Sequence, residues 1–294
     1  MAASPAPAPA LARAALTLAL GLAAGAAAAA AAAAPDAQVI VDNERAFERA
    51  AIEHGTRAGF LEFLAETSVV LGPQPAPGRA ATEAGPAPGA PLRWRPDLAS
   101  IAGSGDFGWA SGPFLSYRAS TAEPPVAAGH YFTLWRREPG GDWRVLLDGG
   151  VSYPFDDRLV AQQLEVTPRL RSAGGGRSRA ADCSAAFGAL WQQKGRAAAL
   201  REFLADDARL LLAGAAVEDG RATVLRADPL RDAALAKLRT AKTLSSDGGD
   251  LRVSYGEIDI AARPDAPARR YVFVHAWDAG KVCRLALEML NPAR

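Results

Sequence analysis

The sequence predicts two domains of the α+β class in tandem. One observation behind this prediction is an internal repeat. Phe47 and Phe187 stand 140 positions apart (187 − 47), and Glu62–Ala65 recurs at the same spacing as Glu202–Ala205. The other is the order of patterns in each copy, in which a long amphipathic helix precedes a run of strand-like segments. A repeat of this length corresponds to a whole small domain.

The repeat also predicts the domain boundaries. We expect the domains at about residues 37–155 and 182–292, joined by a linker at 156–181. The linker is polar and contains the run Gly174–Gly176, a composition typical of flexible connections.

Each domain is predicted to begin with a long helix. In the first copy, Phe47, Ala51 and Leu61 belong to an apolar stripe with a period near 3.6. Gly55 and Gly195 interrupt the two helices at the same point. Because a glycine inside a helix costs up to ~1 kcal/mol relative to alanine, its presence in both copies predicts a break that the fold needs.

Strand patterns follow the helix in both copies. We expect one short strand first. Next comes a variable segment, which is a Pro-rich loop at Gly72–Pro91 and a helical pattern at Arg221–Leu238. Three or four antiparallel strands then end in a hairpin. This order is typical of an α+β domain in which a curved sheet packs one face on the helix.

The first 34 residues have the composition of an export signal. Arg13 supplies a positive charge, Ala14–Leu22 is a short apolar segment, and a run of alanines ends at Ala34. This order predicts a periplasmic or secreted protein with no stable membrane span after processing. The alternative is that Ala14–Ala34 remains as an anchor, since its length is close to that of a membrane helix.

The charge balance and the motifs exclude several kinds of partner. Lys plus Arg number 33 and Asp plus Glu 32, which gives a net charge of +1, so we expect no nucleic-acid partner. The sequence has no Gly-rich phosphate loop and no pattern of metal ligands, so we expect no cofactor and no metal.

The two cysteines, Cys183 and Cys283, both fall in the second copy. Export permits a disulfide, and two cysteines allow one bridge without requiring it. Because Cys283 lies in a strand pattern, where a lone cysteine behaves as a small apolar residue, we favour unpaired thiols.

Several segments of the first copy form a recognisable pattern. They are Glu53–Arg57, Phe63–Glu66, Ser104–Trp109, Gly129–Arg137 and Trp143–Asp148. Together they resemble the SnoaL-like, nuclear-transport-factor-2-like superfamily and, more narrowly, its bacterial branch of domains of unknown function, present here as a tandem pair. The resemblance implies a cone-shaped barrel with a pocket between helix and sheet, and domains that pair sheet to sheet. We therefore expect an intramolecular pseudo-dimer and a monomeric chain.

His54 and Asp148 are the candidate catalytic residues. His54 lies on the apolar stripe of the first helix, and Asp148 occupies the same point of the last strand as Glu288. If both side chains enter the pocket, they form an acid/base pair, and burial raises the pKa of the carboxyl. Alternatively, His54 fills the helix break, and Asp148 is an ion-pair partner at the end of its strand.

Four aromatic residues are candidates for the wall of an apolar pocket. The same residues are equally typical of a half-buried sheet. They are Trp109, Tyr117, Tyr131 and Trp135.

Two classes of function remain open. One is a binding or assembly module that holds a small apolar or carboxylated molecule. The other is an enzyme of the isomerase, cyclase or dehydratase kind that uses His54 and Asp148. We favour the binding module, because the second copy has Lys194 where the first has His54. The implied fold hosts both classes, so the site must decide between them.

Overall fold

The structure, a computed structural model, describes residues 1–2, 35–72, 74–153, 164–173, 183–279 and 282–293. Ala34–Arg294 form one compact unit, and every element below belongs to it. Apart from residues 1–2, the predicted export signal at 1–34 lies outside the described residues. None of the described helices has the length and apolar character needed to cross a bilayer.

The first half of the compact unit is a pair of helices followed by a sheet. Its elements are α1 (Gln38–His54), α2 (Thr56–Phe63), β1 (Leu64–Leu71), β2 (Pro75–Pro77), α3 (Gly78–Ala84), β3 (Leu92–Trp94), β4 (Leu98–Ile101), β5 (Phe107–Ser116), β6 (Ala127–Arg137), β7 (Trp143–Tyr153) and β8 (Arg169–Ser172). The strand order is β2-β1-β7-β6-β5-β4-β8, and β3 pairs with β5. The pairs β1–β7 and β4–β8 are parallel, and the other pairs are antiparallel.

The second half follows the same order. Its elements are α4 (Cys183–Lys194), α5 (Arg196–Phe203), β9 (Leu204–Leu212), β10 (Glu218–Asp219), α6 (Arg221–Ala227), β11 (Leu235–Ser245), β12 (Leu251–Ile260), β13 (Arg269–Asp278) and β14 (Arg284–Pro292). The strand order is β10-β9-β14-β13-β12-β11, and β9 runs parallel to β14 as β1 does to β7.

The predicted helix break is present in both halves. Gly55 separates α1 from α2 with a φ of 89°, and Gly195 separates α4 from α5 with a φ of 86°. Side chains with a Cβ rarely adopt this conformation, which explains why glycine occurs at the same point twice.

Three segments differ from the sequence-based expectations. The Pro-rich segment predicted as loop contains the short helix α3, and part of the segment predicted as helical forms β11. The predicted linker at 156–181 contains β8, which pairs with β4 along Leu98–Ile101. In β8 and β11 the backbone hydrogen bonds go to a neighbouring strand, a tertiary partner that local composition does not reveal.

The two sheets pack against each other through one shared hydrophobic core. Trp109, Phe132 and Leu147 contribute to it from the first sheet, and Val253 and Val274 from the second. The opposite face of each sheet packs on its own helices, in separate cores that include Phe47 and Trp135 in the first half and Phe187 and Trp277 in the second.

The expectation of unpaired thiols was wrong. Cys183, the first residue of α4, forms a disulfide with Cys283, which directly precedes β14. The helix α4 packs on the sheet that contains β14. Tertiary structure therefore brings together two cysteines that are 100 positions apart in the sequence. A disulfide that closes so long a loop typically stabilises a fold by about 2–4 kcal/mol.

Candidate functional site

A cavity of about 240 Å³ lies between helices and sheet in the first half. Aromatic side chains form most of its wall, and its polar groups come from β6 and β7. Its lining residues are Phe47, Phe60, Leu92, Trp94, Phe114, Tyr131, Thr133, Asp148, Gly149 and Gly150.

A β-bulge in β7 directs Asp148 into this cavity. Leu134 pairs with Leu147, but Trp135 pairs with Val145, so Leu146 is an extra residue in the ladder. The extra residue shifts the alternation of side chains by one position. Regular strand alternation would place Leu146 and Asp148 on one face, but the bulge separates them. Leu146 joins the core between the sheets, whereas Asp148 faces the helices.

Burial raises the pKa of two carboxyl groups in the first half, the fully buried Glu44 and the half-buried Asp148. Burial raises the pKa of Asp148 to about 6, although the Thr133 hydroxyl, which donates to Oδ1 at 3.0 Å, opposes this shift. Burial raises the pKa of Glu44 to about 7 against hydrogen bonds from Trp135 and Trp94, and the charge of Asp148 adds to the shift. The two carboxyl groups therefore titrate close to neutral pH.

The helix α1 supplies a second buried acid, Glu48, beside Glu44. Glu44 accepts from Trp94 Nε1 at 2.9 Å and from Trp135 Nε1 at 2.7 Å. Glu48 accepts from Arg93 Nε at 2.8 Å and also pairs with Arg95. These bonds join α1 to β3 and β6 and fix the shape of the cavity.

The hydroxyl of Tyr131 is a polar group that belongs to a residue of the cavity wall. The residue is 7% exposed, and among the described residues no group makes a well-formed hydrogen bond with its oxygen, although the Glu44 carboxyl is close enough to interact with it. Burial, together with the Glu44, Asp97 and Asp148 carboxyl groups, keeps the pKa of Tyr131 well above its usual value. The phenol is therefore a neutral donor, and a buried hydroxyl without a well-formed hydrogen bond indicates a ligand or an ordered water.

His54 is not part of this site. It is the last residue of α1, its side chain is more than half exposed, and Nδ1 lies 3.6 Å from Glu62 Oε2. The apolar stripe of α1 ends before His54, because the chain turns at Gly55. The structure thus places Asp148 in the cavity but not its proposed partner. Lys194, the counterpart of His54, is also exposed.

The four predicted aromatic residues divide among three environments. Tyr131 lines the cavity. Trp135 lies in the same core and holds Glu44, but it does not contact the cavity. Trp109 stacks on Phe132 between the sheets, and Tyr117 packs in a small cluster with Leu115 and Ala128, so neither belongs to the wall. In β5 the cavity-facing aromatic residue is Phe114.

The strand register corrects two equivalences that the 140-residue offset implies, that of Tyr131 with Tyr271 and that of Trp135 with His275. β14 carries the same bulge as β7, because Ala276 pairs with Leu287 and Trp277 with Leu285. Trp277 therefore corresponds to Trp135, and His275 takes the place of Thr133. By the same register, Phe273 rather than Tyr271 corresponds to Tyr131. The equivalence of Asp148 and Glu288 is confirmed, since they pair with Val70 and Leu210 of the parallel strands.

A buried ionic network fills the corresponding region of the second half. Arg196 donates to Glu288 through both terminal nitrogens, at 3.1 and 2.6 Å, and to Asp228 through Nε at 2.6 Å. His275 Nε2 lies 3.0 Å from Glu288 Oε1. Burial opposes the ionised form, but Arg196 and His275 outweigh it and lower the pKa of Glu288 to about 2.

Larger side chains complete the filling of the second half. Trp191 stands where the first half has Ala51, and Leu290 stands where it has Gly150. The guanidinium of Arg196 lies over the ring of Trp191, 4.7 Å from its centroid. The same framework thus holds a cavity in one half and a packed ionic core in the other.

Sequence reasoning missed Glu44, Trp94 and Thr133 in the first half, and Arg196 in the second. A signal for Glu44 was available, since it falls on the helical stripe formed by Ile40 and Phe47, which are both fully buried. An acid at such a position is either paired or neutral. The other residues carry no such signal, because their positions depend on strand register and on contacts between elements.

Comparisons with known proteins return solved structures of low identity. A nuclear-transport-factor-2-like protein from Cytophaga hutchinsonii is 14% identical and covers 38% of this chain and 93% of its own, with a TM-score of 0.31. A nuclear-transport-factor-2-like protein with a cystatin-like fold from Novosphingobium aromaticivorans is 20% identical and covers 42% and 86%, with a TM-score of 0.33. No protein-family model and no curated protein matches the chain.

Proposed function

We propose that this chain is an exported tandem pair of nuclear-transport-factor-2-like domains. In this proposal the first domain binds a small molecule in the cavity beside Asp148. The second domain, whose interior is filled by the Arg196 network, serves as a structural partner.

The observation that carries the binding proposal is a mostly aromatic cavity that contains the half-buried carboxyl of Asp148. The Tyr131 hydroxyl has no well-formed hydrogen bond in the ligand-free protein, and a ligand atom that reached it would supply one. Tyr131 shares the cavity wall with Thr133 and Asp148. This combination of an apolar surface with a few convergent polar groups is typical of small-molecule sites.

The polar groups also limit the kind of ligand. Among the described residues that line the cavity, none is basic, and Asp148 is acidic. A carboxylated ligand would place two acids side by side without a counter-charge, which is unfavourable in a buried site. The ligand that fits is a small and largely apolar molecule that does not carry a carboxylate.

A second candidate function is proton transfer by Asp148, with Tyr131 as a hydrogen-bond donor to the substrate. The observation in its favour is the Asp148 pKa of about 6, which suits a general base near neutral pH. Because His54 lies outside the cavity, this candidate does not use the predicted pair. It requires turnover of an enolisable ketone, whereas the binding function requires none.

Replacing Tyr131 with Phe tests the binding proposal. Phe is the residue at the equivalent position, Phe273, so the change fits the fold. We expect the free energy of unfolding to stay the same or to rise by up to ~1 kcal/mol, because an unsatisfied hydroxyl is removed. We expect binding of benzyl alcohol, a monocyclic probe, to weaken by about 2–10-fold, as for one lost hydrogen bond. Urea unfolding and NMR titration measure the two effects.

Tyr117→Phe is the matched control, since it removes a hydroxyl from a tyrosine outside the cavity. It should leave the affinity for benzyl alcohol unchanged. Equal affinities of Tyr131→Phe and the parent, or an absence of binding by the parent, would contradict the proposed site. Turnover of an enolisable ketone that is lost in Asp148→Asn would instead favour the second candidate.

The pairing of the two domains is supported by reciprocal hydrogen bonds across their interface. Gly103 N donates to Asp250 Oδ2 at 2.7 Å, and Asp247 N donates to Asp106 Oδ2 at 3.0 Å. The two bonds join the same pair of turn positions in opposite directions, as expected for an interface with twofold symmetry. Together with the shared core between the sheets, they favour an intramolecular pseudo-dimer and a monomeric chain.

Export and the monomeric state can be tested in one measurement. The disulfide between Cys183 and Cys283 supports export, because such bonds persist in oxidising compartments. We expect native mass spectrometry of protein from the periplasm or medium to give the mass of one oxidised chain without residues 1–34. The intact chain in the membrane fraction would favour the retained anchor, and a mass of two chains would count against the pseudo-dimer.

A further inference from the structure

We infer that the ligand of the first-domain cavity is a small organic cation, an amine or amidine on an apolar body, held by Asp148 and the surrounding aromatic rings. This inference rests on the proposed binding function and adds to it the chemical class of the ligand.

Asp148 is the acidic residue among the described residues that line the cavity, Glu44 is buried nearby, and neither pairs with a basic group in the part of the chain that the structure describes. Asp148 accepts one hydrogen bond from Thr133, and Glu44 accepts bonds from two tryptophans, so both interact with neutral donors. The nearby guanidinium groups of Arg93 and Arg95 are paired with Glu48. A cation in the cavity would provide the counter-charge that Asp148 lacks and would stabilise its ionised form.

The aromatic wall suits a cation better than it suits an anion. Phe47, Phe60, Trp94, Phe114 and Tyr131 surround the space next to Asp148. The faces of such rings attract ammonium and guanidinium groups, most strongly where water is excluded. The hydroxyl of Tyr131, a residue of this wall, has no well-formed hydrogen bond and can orient a polar atom on the ligand.

The second domain shows a cation bound at the equivalent carboxylate. Glu288, the counterpart of Asp148, binds the guanidinium of Arg196 through both oxygens, and that guanidinium stacks on Trp191. The second domain thus already contains a cation that binds a carboxylate beside an aromatic ring, and in that domain the cation is the side chain of Arg196.

The first domain keeps the acid but lacks the resident cation. Thr56 follows the helix break at the position that corresponds to Arg196, and its hydroxyl donates to the backbone oxygen of Ala90 at 2.8 Å. Ala51 and Gly150 leave space where Trp191 and Leu290 fill the second domain. A ligand cation would occupy the place that the guanidinium takes in the other copy.

Three probes of the same shape test the charge preference. Benzylamine is cationic at neutral pH, benzyl alcohol is neutral and benzoate is anionic, and the full disulfide-bonded chain is titrated with each at pH 7.5. We expect benzylamine to bind at least 10-fold more tightly than benzyl alcohol, and benzoate to bind most weakly. In Asp148→Asn, which keeps the shape of the side chain, benzylamine should lose at least 10-fold and benzyl alcohol little. Glu44→Gln serves as a second variant if Asp148→Asn does not fold.

The pH dependence gives an independent readout. The titratable groups that interact with Asp148 are Glu44 from α1 and Tyr131 from β6, while β1 presents Val70 beside it. Since the Asp148 pKa is about 6, benzylamine should bind about 10-fold more weakly at pH 5 than at pH 7.5. A ligand that needs the protonated acid would show the opposite trend.

The outcomes separate this inference from the binding function itself. If benzylamine and benzyl alcohol bind equally, and Tyr131→Phe weakens both, the ligand is not a cation but the binding site remains supported. Tighter binding of benzylamine at pH 5 than at pH 7.5 would also contradict a cationic ligand. If none of the three probes binds the parent chain at millimolar concentration, both the cation and the binding function fail.

Discussion

We expect Arg196→Met to lower the free energy of unfolding by about 3–5 kcal/mol. Arg196 is fully buried, and its guanidinium is the partner of two buried carboxylates, Asp228 and Glu288. Met has a similar length but no charge, so both acids would remain in the core without a cation. Removal of one partner from a buried network is costly because the charge left behind has lost its hydration. Urea unfolding at pH 7.5 measures the change.

Arg231→Met is the exposed control. Arg231 pairs with Asp232 on the surface, where both side chains are more than half exposed, so its loss should change stability by less than ~1 kcal/mol. The triple variant Arg196→Met, Asp228→Asn, Glu288→Gln also removes the charge of the two acids that the loss of Arg196 would leave unpaired. It should recover part of the lost free energy of unfolding. An Arg196→Met protein as stable as the control would show that the network does not stabilise the second half of the compact unit.

We also expect the ligand-free protein to become less stable as the pH rises from 5 to 8. In the folded state the pKa of Asp148 is about 6 and that of Glu44 about 7, against ordinary values of 3.8 and 4.5. In this range the folded state binds more protons than the unfolded chain, so the free energy of unfolding falls with rising pH. The expected loss is about 1–2 kcal/mol from Asp148 and about 2–3 kcal/mol from Glu44.

His130 opposes this loss by about 2 kcal/mol, because burial lowers its pKa from 6.5 to about 4 and at pH 5 the unfolded chain binds a proton there that the folded state does not. The net loss between pH 5 and 8 is therefore about 2 kcal/mol.

Urea unfolding at a series of pH values tests this dependence, with Asp148→Asn as the informative variant. The variant should be more stable than the parent at pH 8, and its slope against pH should be smaller by the Asp148 contribution. Asp206→Asn, which removes an exposed acid from β9, should keep the parental slope. If the parent and Asp148→Asn have the same slope, Asp148 does not titrate in a buried site.

The helix stripe of α1 illustrates how far local pattern reaches. Periodicity predicts α1 and its buried face, and on that face it could also have identified Glu44 as an acid in the core. His54 fits the same periodicity, but it lies in the last turn of α1, and its side chain is exposed because the chain leaves the core at Gly55. A stripe therefore predicts burial in the middle of a helix better than at its end, because the end depends on where the next element goes.

Local residue preferences and the repeat determine the architecture of this protein. The 140-residue offset, the glycines at both helix breaks and the order of helix and strands can all be read directly from the sequence. The equivalence of Asp148 and Glu288 follows from them, because the last strand of each copy keeps its length and its relation to the parallel strand.

Tertiary structure alone decides which side chains meet. A single extra residue in β7 reverses the faces of that strand and brings Asp148 into the cavity, while Trp109 turns to the other sheet. Contacts between elements also bring Cys183 to Cys283. They place the Arg196 network in the interior of the second half and leave a cavity in the first half. Strand bulges, disulfide pairing and side-chain packing depend on contacts between residues that are far apart in the chain. Local sequence patterns do not reveal those contacts.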